Sequence, residues 1–385
     1  MTVMNYFNNI VKKTCRVIVL FSLTFVSCEE QLNKYPLDQL SKDTFWQNER
    51  DALLGLAALY NTHPRGDSDV SLNNFLPYIL MDCTVDIGRE RIATAFRYLY
   101  NGFTNASDGQ IANLWSKSYE IVARCNNFIE NVEQADISPE LILEMKSEAR
   151  FIRAYHYFWM VHFWGDIPLT TKTLTIDEAN SVQRTPRSEV VDFILNELTE
   201  AAEYLPETRP DAEKGRVVKA AALAIQGRML MSEKRWPEAA SAFKSIIDQG
   251  LYSIYPDYEL LFTARGENNH EVIHAIQYLE NDYGSTLQRF VLPFMNSGWY
   301  YVSLYNEFVE SFLCTDGLPI GESPLYDVSK PLENRDPRLF NICFLDKHSV
   351  FKGRLFVSHP DSLNAPDALP KRTWSGIGVR KFGDE

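Results

Sequence analysis

Between Ile111 and Val132, apolar and small residues recur at steps of four and three: Ile111, Trp115, Ser118, Val122, Cys125, Ile129 and Val132. At 3.6 residues per turn that spacing lays a single stripe along a helix. Such a stripe needs cover, so the chain must supply further helices. The next segment does so. Ser138-Pro139 is an N-cap followed by a first-turn proline, and the spacing predicts a long helix to about Trp164, closed by Gly165. Thr185-Pro186 repeats the start signal, and Phe193, Ile194, Leu198 and Ala201 supply an apolar face up to Leu205-Pro206.

A further pair of helices is the most informative. Val218 to Met231 reads as one Ala-rich helix, with Glu233-Lys234-Arg235 as its turn. Trp236-Pro237 opens a second, in which Ala239, Ala240, Phe243, Ile246 and Ile247 are expected to face inward and Gly250 to end the helix. Small alanines on the first helix and one Phe on the second resemble a tetratricopeptide-type hairpin, which cannot bury its own face and should stack on the earlier helices. After residue 250 aromatics, Gly and Pro scatter, and strand-like runs such as Glu271 to Leu279 appear. The fold class is therefore mainly α. Tetratricopeptide-like hairpins would form a right-handed superhelical scaffold, mostly within residues 40–250. An irregular, loop-rich part with a few short strands would follow, mostly within 251–385.

The start of the chain has a different character. Lys12, Lys13 and Arg16 precede an almost wholly apolar run from Val17 to Val26, then Ser27 and Cys28. Ten apolar residues are too few for a stable bilayer-spanning helix, so residues 1–27 read as a cleaved signal peptide. Phe25-Val26-Ser27-Cys28 resembles a relaxed lipoprotein box, making Cys28 the lipidation site. Glu29-Glu30 resembles the acidic surface-export signal of Bacteroidota lipoproteins. A plain secreted protein with an incidental Cys28 is the alternative. The net charge of −13 argues against a nucleic-acid partner, whose phosphates demand a basic surface. Cys83, Cys125, Cys314 and Cys343 lack metal-type spacing and are either buried thiols or disulfides.

Several blocks, in order, carry a family resemblance. They are Glu148 through Tyr155, Phe163 through Leu169, Gly215-Arg216-Val217, the Trp236 hairpin, Tyr252 through Phe262, Glu271-Val272-Ile273, Cys314 through Ile320 and Asp336-Pro337-Arg338. Following a lipoprotein-type signal, this set resembles the SusD/RagB nutrient-uptake lipoproteins over residues 28–385. The resemblance implies a non-catalytic, cell-surface glycan-binding protein, lipid-anchored in the outer membrane through Cys28. It would deliver oligosaccharide to a SusC-type TonB-dependent outer-membrane barrel. Family members usually continue past the stretch resembling Val379 to Phe382, so the C-terminal portion is expected to be truncated. The alternative is a tetratricopeptide-like adaptor that binds only protein.

Glycan binding makes a definite physical demand. A pyranose offers a C–H face to aromatic rings, and hydroxyls to planar polar groups, both best presented by loops on a rigid scaffold. Two segments meet it. One runs from Asp86 and Arg89 to Tyr98, Tyr100 and Asn101. The other is Asn296 to Tyr301, where Trp299 and Tyr300 are the candidate contacts. His270-Glu271-Val272-Ile273-His274 matches the H-E-x-x-H metalloprotease pattern, which needs a helix. β-Branched Val272 and Ile273, with Ala275 to Tyr278 continuing, instead predict a strand, where the two His would lie roughly 13 Å apart. No metal or cofactor is expected. Asp67-Ser68-Asp69 reads as a solvated turn, and His156, Trp159, His162 and Trp164 as packing residues, with Arg150, Arg153 and Asp166 in polar contacts.

Overall fold

In the computed structural model, which describes residues 45–60, 76–91, 102, 108–278, 285–362, 364–368 and 375–384, helices account for most of the described residues up to Asp248. They are α1 (Glu49–Tyr60), α2 (Leu76–Asp82), α3 (Gly109–Asn131), α4 (Pro139–Trp164), α5 (Ile176–Ser181), α6 (Arg187–Tyr204), α7 (Lys219–Ser232) and α8 (Trp236–Asp248). The chain divides into two units, residues 1–47 and 48–385. Of the first, only 45–47 are described, with the Phe45 and Trp46 rings meeting edge to face.

The long α4 organises the second unit. Ser138 caps it by accepting from the Leu141 N–H, Pro139 occupies its first turn, and Gly165 ends it at φ 69°. Helices α3 and α6 both pack on α4, α7 follows on α6, and α8 on α7. Thr185 does not cap α6. Its backbone pairs with Ile167, and Asp166 Oδ1 instead accepts the Arg187 N–H at 2.8 Å. In the α7–α8 hairpin the small-to-large match is literal, because a Cβ on Gly227 would lie 2.6 Å from the Phe243 ring. The inward set on α8 differs from the sequence reading. Ala239, Ala242 and Ile246 are buried, while Ala240 is exposed and Ile247 is 75% exposed. Positions 239, 242, 243 and 246 follow the i, i+3, i+4, i+7 stripe; 240 and 247 fall beside it.

Charged residues tie these helices together from inside. Arg153, 4% exposed, donates through Nε to Glu197 at 2.8 Å and through Nη1 to Asn126 Oδ1 at 2.7 Å, joining α4 to α6 and α3. Glu148, fully buried, accepts from the Tyr60 hydroxyl, from Arg209 at 2.9 Å and from Arg216 at 2.6 Å. The block around Glu148 thus meets the block Gly215-Arg216-Val217 in one ion network. Buried charges are tolerable only when paired and hydrogen-bonded, as these are.

Beyond Asp248 the helices shorten to α9 (Leu287–Val291), α10 (Asn306–Ser311) and α11 (Arg338–Ile342). Strands β1 (Gly88–Glu90), β2 (Val302–Leu304), β3 (Cys343–Phe344) and β6 (Gly378–Val379) form an antiparallel sheet in the order β1-β2-β6-β3. Strands β4 (Val350–Phe351) and β5 (Arg354–Leu355) pair as a hairpin. Residues 88–90, part of a segment read as a loop ahead of the Ile111 helix, form a strand of this sheet. Glu271–Tyr278 carries no strand: among the described residues no backbone forms a ladder with it, and Gln277 packs against Gly215. Among the described residues no helix is long and apolar enough to cross a membrane.

Candidate glycan site

Two regions compete for the functional role. Helices α1, α4 and α7 and residues 273–277 wall a cavity of about 820 Å³. Its surface is chiefly aliphatic, with Leu53, Leu56, Ile152, Ala221, Ile225 and Ile273 among the lining. Its tyrosines are committed, Tyr60 to Glu148 and Tyr155 to the Tyr78 hydroxyl. Phe151 and His274 rings and the Arg50, Arg216, Arg228 and Gln277 side chains also border it, but apolar surface dominates the walls. The second region instead concentrates exposed and half-buried rings and guanidinium groups in one place.

That region starts at α9 and is set by a tight turn. Pro293 leads into a 3₁₀ turn at Phe294–Asn296, and Ser297 follows in the left-handed region at φ 62°. The buried Asp367 carboxylate holds the turn, accepting from the Phe294 N–H at 2.7 Å and the Met295 N–H at 3.0 Å. At Gly298 the backbone passes so close to Leu292 that an added Cβ would lie 1.9 Å from its carbonyl oxygen. The chain then doubles back on α9. The N–H groups of Trp299, Tyr300 and Tyr301 donate to the carbonyls of Arg289, Leu292 and Phe290. From there it enters β2, opposite β1, with Arg89 across from Ser303.

The result is a ladder of alternating rings and guanidinium groups. Arg289 lies over the Trp299 ring, its Cζ 4.6 Å from the centroid. Trp299 and Tyr301 lie 5.4 Å apart at 33°. Arg91 sits 5.1 Å from the Tyr301 ring and 5.3 Å from that of Phe294, and its Nη2 donates to the Trp299 carbonyl at 3.0 Å. Phe290, fully buried, supports Tyr301 edge to face at 4.7 Å. Trp299 and Tyr301 are half-buried against the sheet core, and Arg289 is exposed.

The described part of the first segment, residues 86–91, and the second segment are therefore neighbours, joined through β1 and β2. Asp86 is exposed on the turn before β1, and Arg89 is half-buried on the strand. Tyr98, Tyr100, Asn101, Cys28 and the Asp67-Ser68-Asp69 turn lie outside the described residues. Tyr300 needs correction. It has no exposure, and its ring packs with Phe294 and Phe356 in a second core cluster, so it has no face to offer a sugar. The turn sends neighbouring rings to opposite sides, which makes Tyr301 the companion of Trp299. Arg91, Arg289 and Tyr301 were missed as site residues. The available signal was the spacing of two in Arg89/Arg91 and Trp299/Tyr301.

The H-E-x-x-H segment is neither helix nor strand. The His270 carbonyl accepts the Ser253 N–H, Glu271 accepts the Tyr255 N–H, and His274 meets the Phe151 ring edge to face. No cluster suited to a metal occurs among the described residues. Cys83, Cys125, Cys314 and Cys343 are buried free thiols, and burial pushes the Cys125 and Cys343 thiols up to about 12.

Comparison with known proteins places this arrangement. Residues 71–231 match the family model described as "Starch-binding associating with outer membrane". A SusD-like carbohydrate-binding protein from Bacteroides fragilis superposes with a TM-score of 0.81 at 32% identity, over 88% of this chain and 68% of its own. A laminarin-binding SusD-like protein shares the fold, with a TM-score of 0.69 at 20% identity, covering 88% of this chain and 72% of that one. SusD-like protein P25 of Formosa agariphila is 26% identical over 284 residues, 70% of this chain and 53% of the relative. The chain spans about half the length of the curated relatives it matches. With a third of its residues shared with the B. fragilis protein across most of both chains, the chain belongs to the SusD-like family.

Proposed function

We propose that the protein captures oligosaccharide at the cell surface without cleaving it, and passes it to a SusC-type TonB-dependent outer-membrane barrel. Cys28 is the lipid-anchored residue in this reading, following a signal peptide at residues 1–27. The observation that carries the binding role is the ladder of Arg289, Trp299, Tyr301 and Arg91 on a rigid sheet edge, beside Asp86 and Arg89. Aromatic rings and planar polar donors together are what a sugar requires. The names of the relatives, carbohydrate-binding and laminarin-binding, support the same ligand class.

Retention of the full chain on immobilised polysaccharides tests this. Wild-type protein is retained on at least one, and Trp299→Ala weakens binding by roughly 1–3 kcal/mol, on the scale of an aromatic stacking contact. A Trp299→Ala protein retained like wild type on every matrix removes the site. The aliphatic cavity favours a second reading, an adaptor that binds protein through its helices. That reading predicts retention on none of the matrices, with or without Trp299.

A further inference from the structure

We propose that the ladder selects an anionic glycan, one carrying carboxylate or sulfate groups; the inference rests on the glycan-capture reading of the same site. Three observations lead there. A neutral pyranose would lie flat on the Trp299 ring, yet one face of that ring carries the Arg289 guanidinium at 4.6 Å. The surface therefore presents a cation where a bare ring would be needed. Second, neither Arg289 nor Arg91 is in an ion pair among the described residues, although the chain as a whole carries −13. Third, among the described residues, the acids on β1, on the turn before it and beneath the Phe294 turn are accounted for. Glu90 is fully buried on the opposite side of β1 from Arg89, and the Asp367 carboxylate is taken by the Phe294 and Met295 N–H groups. Asp86 lies out on the preceding turn.

The geometry suits oxyanions. Arg91 is held between the Tyr301 and Phe294 rings, which fixes its fork while only Nη2 is spent on the Trp299 carbonyl. A guanidinium held by rings keeps its donors in one plane, matching the two oxygens of a carboxylate or sulfate. The rings thus position the cations as well as bordering the sugar. A uronic acid or sulfated sugar would bridge Arg289 and Arg91 along the Trp299–Tyr301 edge.

The test is a titration of the full chain at low ionic strength with three oligosaccharides of equal length: oligogalacturonate, a carrageenan oligosaccharide and laminarihexaose. The inference requires one acidic probe to bind at least about tenfold tighter than laminarihexaose, the worth of one charge-assisted contact over a neutral one. The preference should shrink as added salt screens it. Which acidic probe wins separates carboxylate from sulfate recognition. Arg289→Gln, at an exposed position, should keep the wild-type melting temperature and lose most of the preference. Laminarihexaose binding as tightly as both acids, with the ratio unmoved by Arg289→Gln, overturns the inference and leaves glycan capture standing. Binding of none of the three overturns it too, and failure of a wider neutral panel in the same assay overturns glycan capture as well.

Discussion

His156 on α4 is 1% exposed, and neither ring nitrogen has a hydrogen-bond partner among the described residues. Two unsatisfied polar atoms in a core are a cost, so His156→Phe should raise the unfolding free energy by about 1 kcal/mol or more in a denaturant titration. Burial alone holds the imidazole down at about 3. The unfolded chain titrates near 6.5 and so binds more protons between those two values. This contribution is therefore intact above about pH 6.5 and is lost as pH falls toward 3, at up to about 1.4 kcal/mol per pH unit. His156→Phe should flatten that part of the stability profile; an unchanged acid limb would contradict the account. Gly298 is the other decisive single residue. Gly298→Ala must push the backbone off the Leu292 carbonyl, and should cost about 2–3 kcal/mol while misplacing Trp299. Weakened glycan binding should accompany the lower melting temperature.

Elements show what the sequence carries and what it does not. Ser138, Pro139 and Gly165 bounded α4 because caps act locally, through bonds within one turn. That Phe243 meets small residues on α7 was legible for a similar reason, although the residue under its ring is Gly227 and not one of the alanines. Phe243→Ala should cost about 3 kcal/mol, whereas Ile247→Ala should stay within about 0.5. Equal losses would mean that the inward face of α8 is misassigned. Ile247 shows the limit, because a stripe's edge depends on the partner's width. Glu271–Tyr278 failed for a related reason: β-branched residues favour an extended chain, but a strand exists only where another backbone pairs with it. The site was half legible. The composition of 296–301 marked an aromatic surface, but burial of Tyr300 and recruitment of Arg91 and Arg289 depend on the Gly298 turn and on β1 docking. Between helices, the Arg153–Glu197 pair was anticipated only as a polar contact. Glu197→Ala would strand a buried guanidinium and should cost about 3–5 kcal/mol, measurable by urea unfolding.

At the scale of the whole molecule, the sheet gathers chain from both ends of the second unit, residues 88–90 and 378–379, around β2. The ladder sits where that sheet meets α9, so its geometry is set by long-range pairing, and the helices provide the scaffold. The cavity between α1, α4 and α7 lies elsewhere, under mostly apolar walls, and volume alone does not make it the sugar site. The most direct test of the central claim is the thermal midpoint of the full chain against a panel of neutral and acidic oligosaccharides, with Trp299→Ala in parallel. A ligand held only by the native state at a hundredfold excess over its dissociation constant adds about 2.7 kcal/mol. For a chain of this size that is a rise of roughly 3–4 °C. The account predicts such a rise with one sugar class, lost in Trp299→Ala. A cooperative melt that no glycan moves, or a shift that survives Trp299→Ala intact, would contradict it.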